Sequence, residues 1–260
     1  MHNAQAYVES LAALSGSSLS TGHASLVLNL TQASSLSKAL RQDAEDYLFS
    51  AWITFGDCIH GLQDNFFSWA SVKAYYATFY AARAYLAATG HGIVYVGTKP
   101  KSISCRAGGT IIKANGTTHD AVFRLFAGQH PSHVLLSQTI DMVQPFEWLK
   151  ARREDANYRN SRFCEPSAPR HFLKICLAGI RASLDAYASD SSYLYTFDAD
   201  HAILAFPLAF IHEAQSLLKS SGKLDLPEGD KRFLLSTLQD RKGPYPKVRD
   251  RCNSDFSIKQ

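Results

Sequence analysis

Between Lys150 and Arg170 the chain concentrates groups that can handle phosphate: Arg152, Arg153, Glu154, Asp155, Asn157, Tyr158, Arg159 and Arg162. Wound as a helix, Arg152, Ala156 and Arg159 share one side, and Arg153 and Asn157 share the adjacent one. Guanidinium groups on neighbouring turns can take phosphate oxygens two at a time, and a tyrosine beside them can donate its hydroxyl or stack on a base. The competing reading is a solvated face whose arginines pair with acidic neighbours. A second set, Arg124 and His130, places a cation and an imidazole six residues apart. RNA cleavage asks for such a pair, an imidazole to move the proton and a guanidinium to stabilise the phosphorane. His119, beside Asp120, either flanks a helix cap or shares in that chemistry.

Lys99, Lys101, Arg106 and Lys113 make a third set. They read either as the lysines that keep a hairpin solvated or as a finger that contacts phosphate. A metal centre is not expected. His130 and His133 flank a HisProSerHis stretch that is not a regular helix, and Asp198 and Asp200, next to His201, serve better as helix caps. GlyThrLysPro at 97–100 lacks the spacing of a P-loop, and no serine nucleophile elbow occurs, so no cofactor is implied.

These groups need a scaffold, and the periodicity supplies one of the all-α class. Phe66, Trp69, Val72, Tyr76, Phe79, Tyr80 and Leu86 recur at helical spacing, with alanines between them and Gly90 as a C-cap. A preceding helix is expected from an N-cap at Ser37 to Leu62, joined by a short turn and so antiparallel to the first. After Gly90 the period becomes two, which predicts a small β-meander at about 92–114. A helix from His119 and Asp120, a helical region over 132–163 whose longer piece starts at Pro145, and a helix over 170–187 complete a four-helix bundle. Residues 1–36 read as an N-terminal arm, a helical fragment followed by irregular chain. The bundle spans 37–188. Residues 189–260 read as an appendage: a helix capped by Asp198 or Asp200, a short helix after Asp230, and a loosely ordered basic tail.

With 260 residues, 46% hydrophobic, the chain can bury a full core without staples. Five cysteines, an odd number with no CxxC pair, predict free thiols in a reducing cytosol. The N-terminus lacks the cationic start and apolar run of a signal peptide, and no run of about 18 apolar residues predicts a membrane span. A cytoplasmic protein away from membranes is expected. The net charge of +4 favours phosphate-bearing partners.

The stretch AYYATFYAARAYL, Ala74 to Leu86, resembles the second helix of HEPN domains. Arg153 to Tyr158 looks like that family's ArgxxAlaAspTyr motif, and His119 to Phe126 is similar to its helix begun by histidine. The resemblance covers residues 38–188. It implies an up-and-down four-helix bundle that pairs into a homodimer with a groove at the dimer face. Many HEPN proteins are metal-independent endoribonucleases of toxin–antitoxin pairs or antiviral defence; others are non-catalytic modules that bind a nucleotide or a partner protein. Two departures stand out: Asn157 replaces the usual aspartate, and the ArgxxxxHis motif of active members is missing from the Arg153 helix.

The leading expectation is an RNA-directed endoribonuclease, with transfer RNA among its candidate substrates and an antitoxin or defence effector as partner. Arg153, Asn157, Tyr158, Arg124, His130 and His119 are its candidate catalytic residues, and Lys99, Lys101, Arg106, Arg152 and Arg159 its candidate binding residues. The alternative is a non-catalytic HEPN module for a partner protein or nucleotide.

Overall fold

The computed structural model describes residues 2–16, 18–22 and 26–258. The chain is predominantly helical with small sheets, as expected, and divides into two compact units, Met1–Tyr47 with Ala82–Pro131 and Leu48–Ala81 with Ser132–Gln260.

In the first unit α1 (Asn3–Leu14) and α2 (Leu19–Gly22) precede the start of α3 (Leu30–Gln63). The first backbone N–H groups of α1 have no partners within the helix, and the buried Asp43 carboxylate on α3 takes those of Asn3 (2.6 Å) and Ala4 (2.9 Å). The end of α4 (Phe67–Ala88) leads into β1 (His91–Val96), β2 (Lys99–Ser104) and β3 (Ile112–Lys113), an antiparallel sheet in that order, so the meander stands where its alternation put it. The Gln5 side chain on α1 bonds the backbone of Tyr95 twice, accepting from its N–H (2.6 Å) and donating to its carbonyl (3.0 Å). That covers the outer edge of β1, which would otherwise present unpaired backbone groups. α5 (Thr118–Gln129) opens on a capping box between Thr117 and Asp120.

The arm expected over 1–36 needs correction. α3 begins at Leu30, not at Ser37, because Asn29 Oδ1 accepts from the Gln32 N–H and Gln32 Oε1 from the Asn29 N–H, each at 2.9 Å. Ser37 lies inside the helix. The irregular chain expected after the first helical fragment falls partly at 17 and 23–25, outside the described residues.

In the second unit the later part of α3 and the earlier part of α4 form the expected hairpin. Lys73 pairs with Asp57 at 3.0 Å, and the Cys58 thiol donates to the Ala70 carbonyl at 3.1 Å. The helical region expected over 132–163 is shorter: a 3-10 turn at Val134–Leu136, then α6 (Pro145–Glu154), with Pro145 in its first turn as expected, and one π turn at Asp155–Arg159. The single helix expected over 170–187 is two, α7 (Arg170–Ala178) and α8 (Ile180–Ser189), split at Gly179, whose φ of +88° no ordinary residue adopts easily. Four long helices are therefore not what the chain builds.

Residues 189–260 are not an appendage. α9 (Ala202–Ser220) is buried along most of its length, and the Trp52 indole of α3 donates to Gln215 of α9 at 2.6 Å. Neither expected aspartate side chain caps α9: the Asp198 carbonyl accepts from Ala202, and the Asp200 carboxylate holds Lys174 at 2.6 Å. Beyond it come β4 (Leu224–Leu226), α10 (Glu228–Thr237), the antiparallel pair β5 (Gln239–Asp240) and β6 (Gly243–Pro244), α11 (Pro246–Asp255), and β7 (Phe256–Ile258), which lies parallel to β4. The tail expected to be loose buries Tyr245, Val248 and Cys252 completely.

Candidate functional site

The site forms where α4, α6, α7 and the 160–169 loop of the second unit meet. Glu165 anchors the loop. Its carboxylate accepts from the Ser68 N–H (2.7 Å) and the Ser68 hydroxyl (2.8 Å), closing the open first turn of α4 from 97 residues away. Burial acts to raise the Glu165 pKa, but the bonds from Ser68 prevail and hold it below the usual carboxylate range.

One helical turn along α4, Ser71 meets His171 of α7, with 3.0 Å between Oγ and Nε2. The Ser71 hydroxyl donates to the Phe67 carbonyl (3.0 Å), so it accepts the proton of His171 Nε2 and leaves Nδ1 a bare acceptor. His171 is buried between the Trp148 and Phe172 rings. Burial first, and the charge of Arg152 second, push its pKa down to about 3, so the ring stays neutral.

α6 contributes Arg152, whose guanidinium carbon lies 5.1 Å from the Trp148 ring. Its buried Nε finds no hydrogen-bond partner, and no ion pair reaches it among the described residues. The π turn after α6 widens the backbone, a feature frequent at functional sites, and Asn160 closes it by donating to the Asp155 carbonyl at 2.9 Å. Together Ser71, His171, Arg152, Asp155, Asn160 and Arg162 line a cleft of about 60 Å³. Arg162, exposed at its rim, likewise pairs with no carboxylate among the described residues.

The expected residues are distributed as follows. Arg152 belongs to the cleft. Arg153 turns inward, its side chain 14% exposed, over the rings of Tyr75 (4.6 Å) and Tyr158 (5.9 Å), with Glu154 at 3.9 Å. Asn157 is half-buried and Tyr158 exposed. Arg159 bonds Glu154 (2.9 Å) and Asp155 (3.1 Å), which is the solvated-face reading.

Arg124, His130 and His119 lie in the first unit. Six residues on a helix turn about 240° around its axis, so Arg124 is exposed on one side of α5 while His130 closes the helix elsewhere. His130 Nε2 is 3.1 Å from the Thr89 hydroxyl, with its ring against Tyr85 and Phe126, a packing role. His119 sits half-buried in the first turn of α5. Lys99 and Arg106 are exposed and Lys101 half-buried; Lys101 stands directly across the sheet from Lys113, a like-charge pairing without an acidic partner among the described residues. Arg83 of the alanine-rich stretch is buried, its guanidinium 4.1 Å over Tyr47.

His171, Ser71 and Glu165 were missed by sequence reasoning, and Arg162, named in the charged run, was not among the candidate site residues. The one signal was His171 at the buried edge of an amphipathic helix, four residues before Ile175. All five cysteines are free thiols, and no helix among the described residues is long and apolar enough to cross a membrane. No protein-family profile, curated protein or solved structure matches the chain.

Proposed function

We propose that the chain is a HEPN-like module that binds a phosphate-bearing ligand, RNA or nucleotide, at the Arg152 cleft and does not cut it. The observation that carries this reading is the contrast among four neighbouring arginines. Arg153 and Arg159 have acidic neighbours, whereas Arg152 and Arg162 line one cleft and, among the described residues, pair with no carboxylate. Asp155, the acid in the lining, is engaged by Arg159 at 3.1 Å. Two guanidiniums left without an anion beside an open cleft fit phosphate oxygens.

The imidazole of the same cleft argues for binding over cleavage. A general acid or base works best with a pKa near the working pH, and His171 lies far below it with Nε2 committed to Ser71. The HEPN assignment itself rests on Ala74–Leu86 and Arg153–Tyr158, and with it come the homodimer and the antitoxin or defence-effector partner.

The test measures retention and cleavage of labelled RNA, transfer RNA included, and of nucleotides with EDTA present. Each charged hydrogen bond lost costs about 1.5–3 kcal/mol, so Arg152→Ala should weaken binding by roughly ten- to a hundredfold, with no product from wild type. Cleavage resistant to EDTA and abolished by Arg153→Ala would restore the endoribonuclease. Absence of binding at low salt would remove the phosphate reading.

A further inference from the structure

We infer that the cleft selects a terminal phosphate monoester, such as the phosphorylated end of an RNA strand or a mononucleotide, over the internal phosphodiesters of the same chain. The inference rests on the phosphate reading above and narrows it to one chemical class.

Shape is the first support. The cleft measures about 60 Å³. The space suits a compact group of the size of a phosphoryl better than an extended one. Its inner wall is made by Ser68, Ser71 and His171, which are 3%, 2% and 8% exposed, while Asn160, Arg162 and Phe163 form an exposed rim. An internal phosphodiester carries nucleoside on both sides and needs two ways out. A buried inner wall opposite an exposed rim favours a group at the end of a chain.

Charge is the second. Arg152 and Arg162 line the cleft, and no carboxylate among the described residues is paired with either. A monoester carries about −1.5 to −2 at pH 7, and a diester carries a single charge. The remaining lining is largely apolar (Ala156, Phe163, Pro169), and its one acid is already paired. The Cys164 thiol is kept protonated by burial, which raises its pKa, and Asp155 already holds Arg159.

The donors are also placed for a compact anion. The Ser68 and Ser71 hydroxyls are spent on Glu165 and on the Phe67 carbonyl, so the cations and the second N–H of the Asn160 amide remain. The three terminal oxygens of a monoester can accept from both guanidiniums.

One short oligoribonucleotide decides the matter when prepared in three forms: 5′-phosphorylated, 3′-phosphorylated, and with hydroxyls at both ends. Binding is read by fluorescence anisotropy on the full chain, with inorganic phosphate as competitor. At least one phosphorylated form should bind ten times more tightly than the hydroxyl form, phosphate should compete with it, and Arg162→Gln, in an exposed loop, should erase the difference. The two phosphorylated forms tell which end is taken. Equal affinity of all three forms would overturn the inference and leave the phosphate reading standing. Binding of none would overturn both. A phosphorylation advantage that survives in both Arg162→Gln and Arg152→Gln would place the selective site elsewhere and sink this assignment.

Discussion

Acid should destabilise this protein through one identifiable side chain. Burial holds the His171 pKa down at about 3 in the folded chain, against the ordinary value of about 6.5 once it is unfolded. The unfolded state thus takes a proton that the native state refuses. The stability His171 contributes is complete above pH 6.5 and drains away as pH falls from there toward 3. Each pH unit in that window costs up to about 1.4 kcal/mol, and integrating from pH 7 to pH 5 gives a loss of about 2 kcal/mol. Moving the folded value a full unit either way changes this loss by less than about 0.1 kcal/mol, because both choices lie well below pH 5. A loss of that size is a large share of the roughly 5–15 kcal/mol that holds a domain together.

The perturbation is His171→Gln, whose amide can still donate to Ser71 and does not titrate. Urea unfolding of both proteins at pH 7, 6 and 5 gives the difference curve. His2, His91 and His133, also lowered chiefly by burial, titrate alike in both proteins and cancel. Repacking around the glutamine adds only a constant offset. Wild type should lose about 2 kcal/mol more than the variant between pH 7 and pH 5. Parallel curves would refute the reasoning, since they would mean that the ring already takes its proton in the folded state.

Two further substitutions test the packing around the site. A Cβ at Gly56 would lie 2.4 Å from the Thr237 hydroxyl and 3.2 Å from its carbonyl, so strain of about 1–3 kcal/mol should outweigh the roughly 1 kcal/mol of helix propensity regained in Gly56→Ala, for a net loss of up to about 2 kcal/mol; a urea midpoint raised above wild type would remove the close approach of α3 to α10. Gly128, with nothing within 4 Å, is the control, and alanine there should be neutral or mildly stabilising. Glu165→Ala should cost about 1–2 kcal/mol by uncapping α4 and should weaken phosphate binding as the loop loosens. The Glu165 carboxylate is held below its ordinary value, so its contribution is present above about pH 4.5 and vanishes as pH falls through the lowered value. A Glu165→Ala variant equally stable at pH 7 would show that the cap contributes nothing.

Local features reached the structure nearly intact. The helix read over 66–90 is Phe67–Ala88, the meander read at 92–114 is His91–Lys113, and Pro145 opens its helix. Some misread features were also legible. Asn29 and Gln32 carry the spacing of a capping box, but the serines at 34 and 35 read as irregular chain and Ser37 as the cap. Tyr245, Val248, Cys252 and Phe256 keep a helical interval, yet the arginines and lysines between them suggested a solvated tail. At Gly179 an unbroken apolar face concealed the break, because periodicity records which residues are apolar and not the φ that a glycine permits.

Periodicity, turn residues and the run of arginines belong to neighbours in the chain, and from them the residue types alone settled the helical class and the meander and offered Arg152 as a candidate for phosphate. Which arginine would remain without an anion, which carboxylate would cap α4 and which imidazole would stay neutral came only with folding. Ser68 and Glu165 are 97 residues apart and Ser71 and His171 are 100. Hydrogen bonding and desolvation act over a few ångströms of space, so no local pattern of residues encodes these pairings.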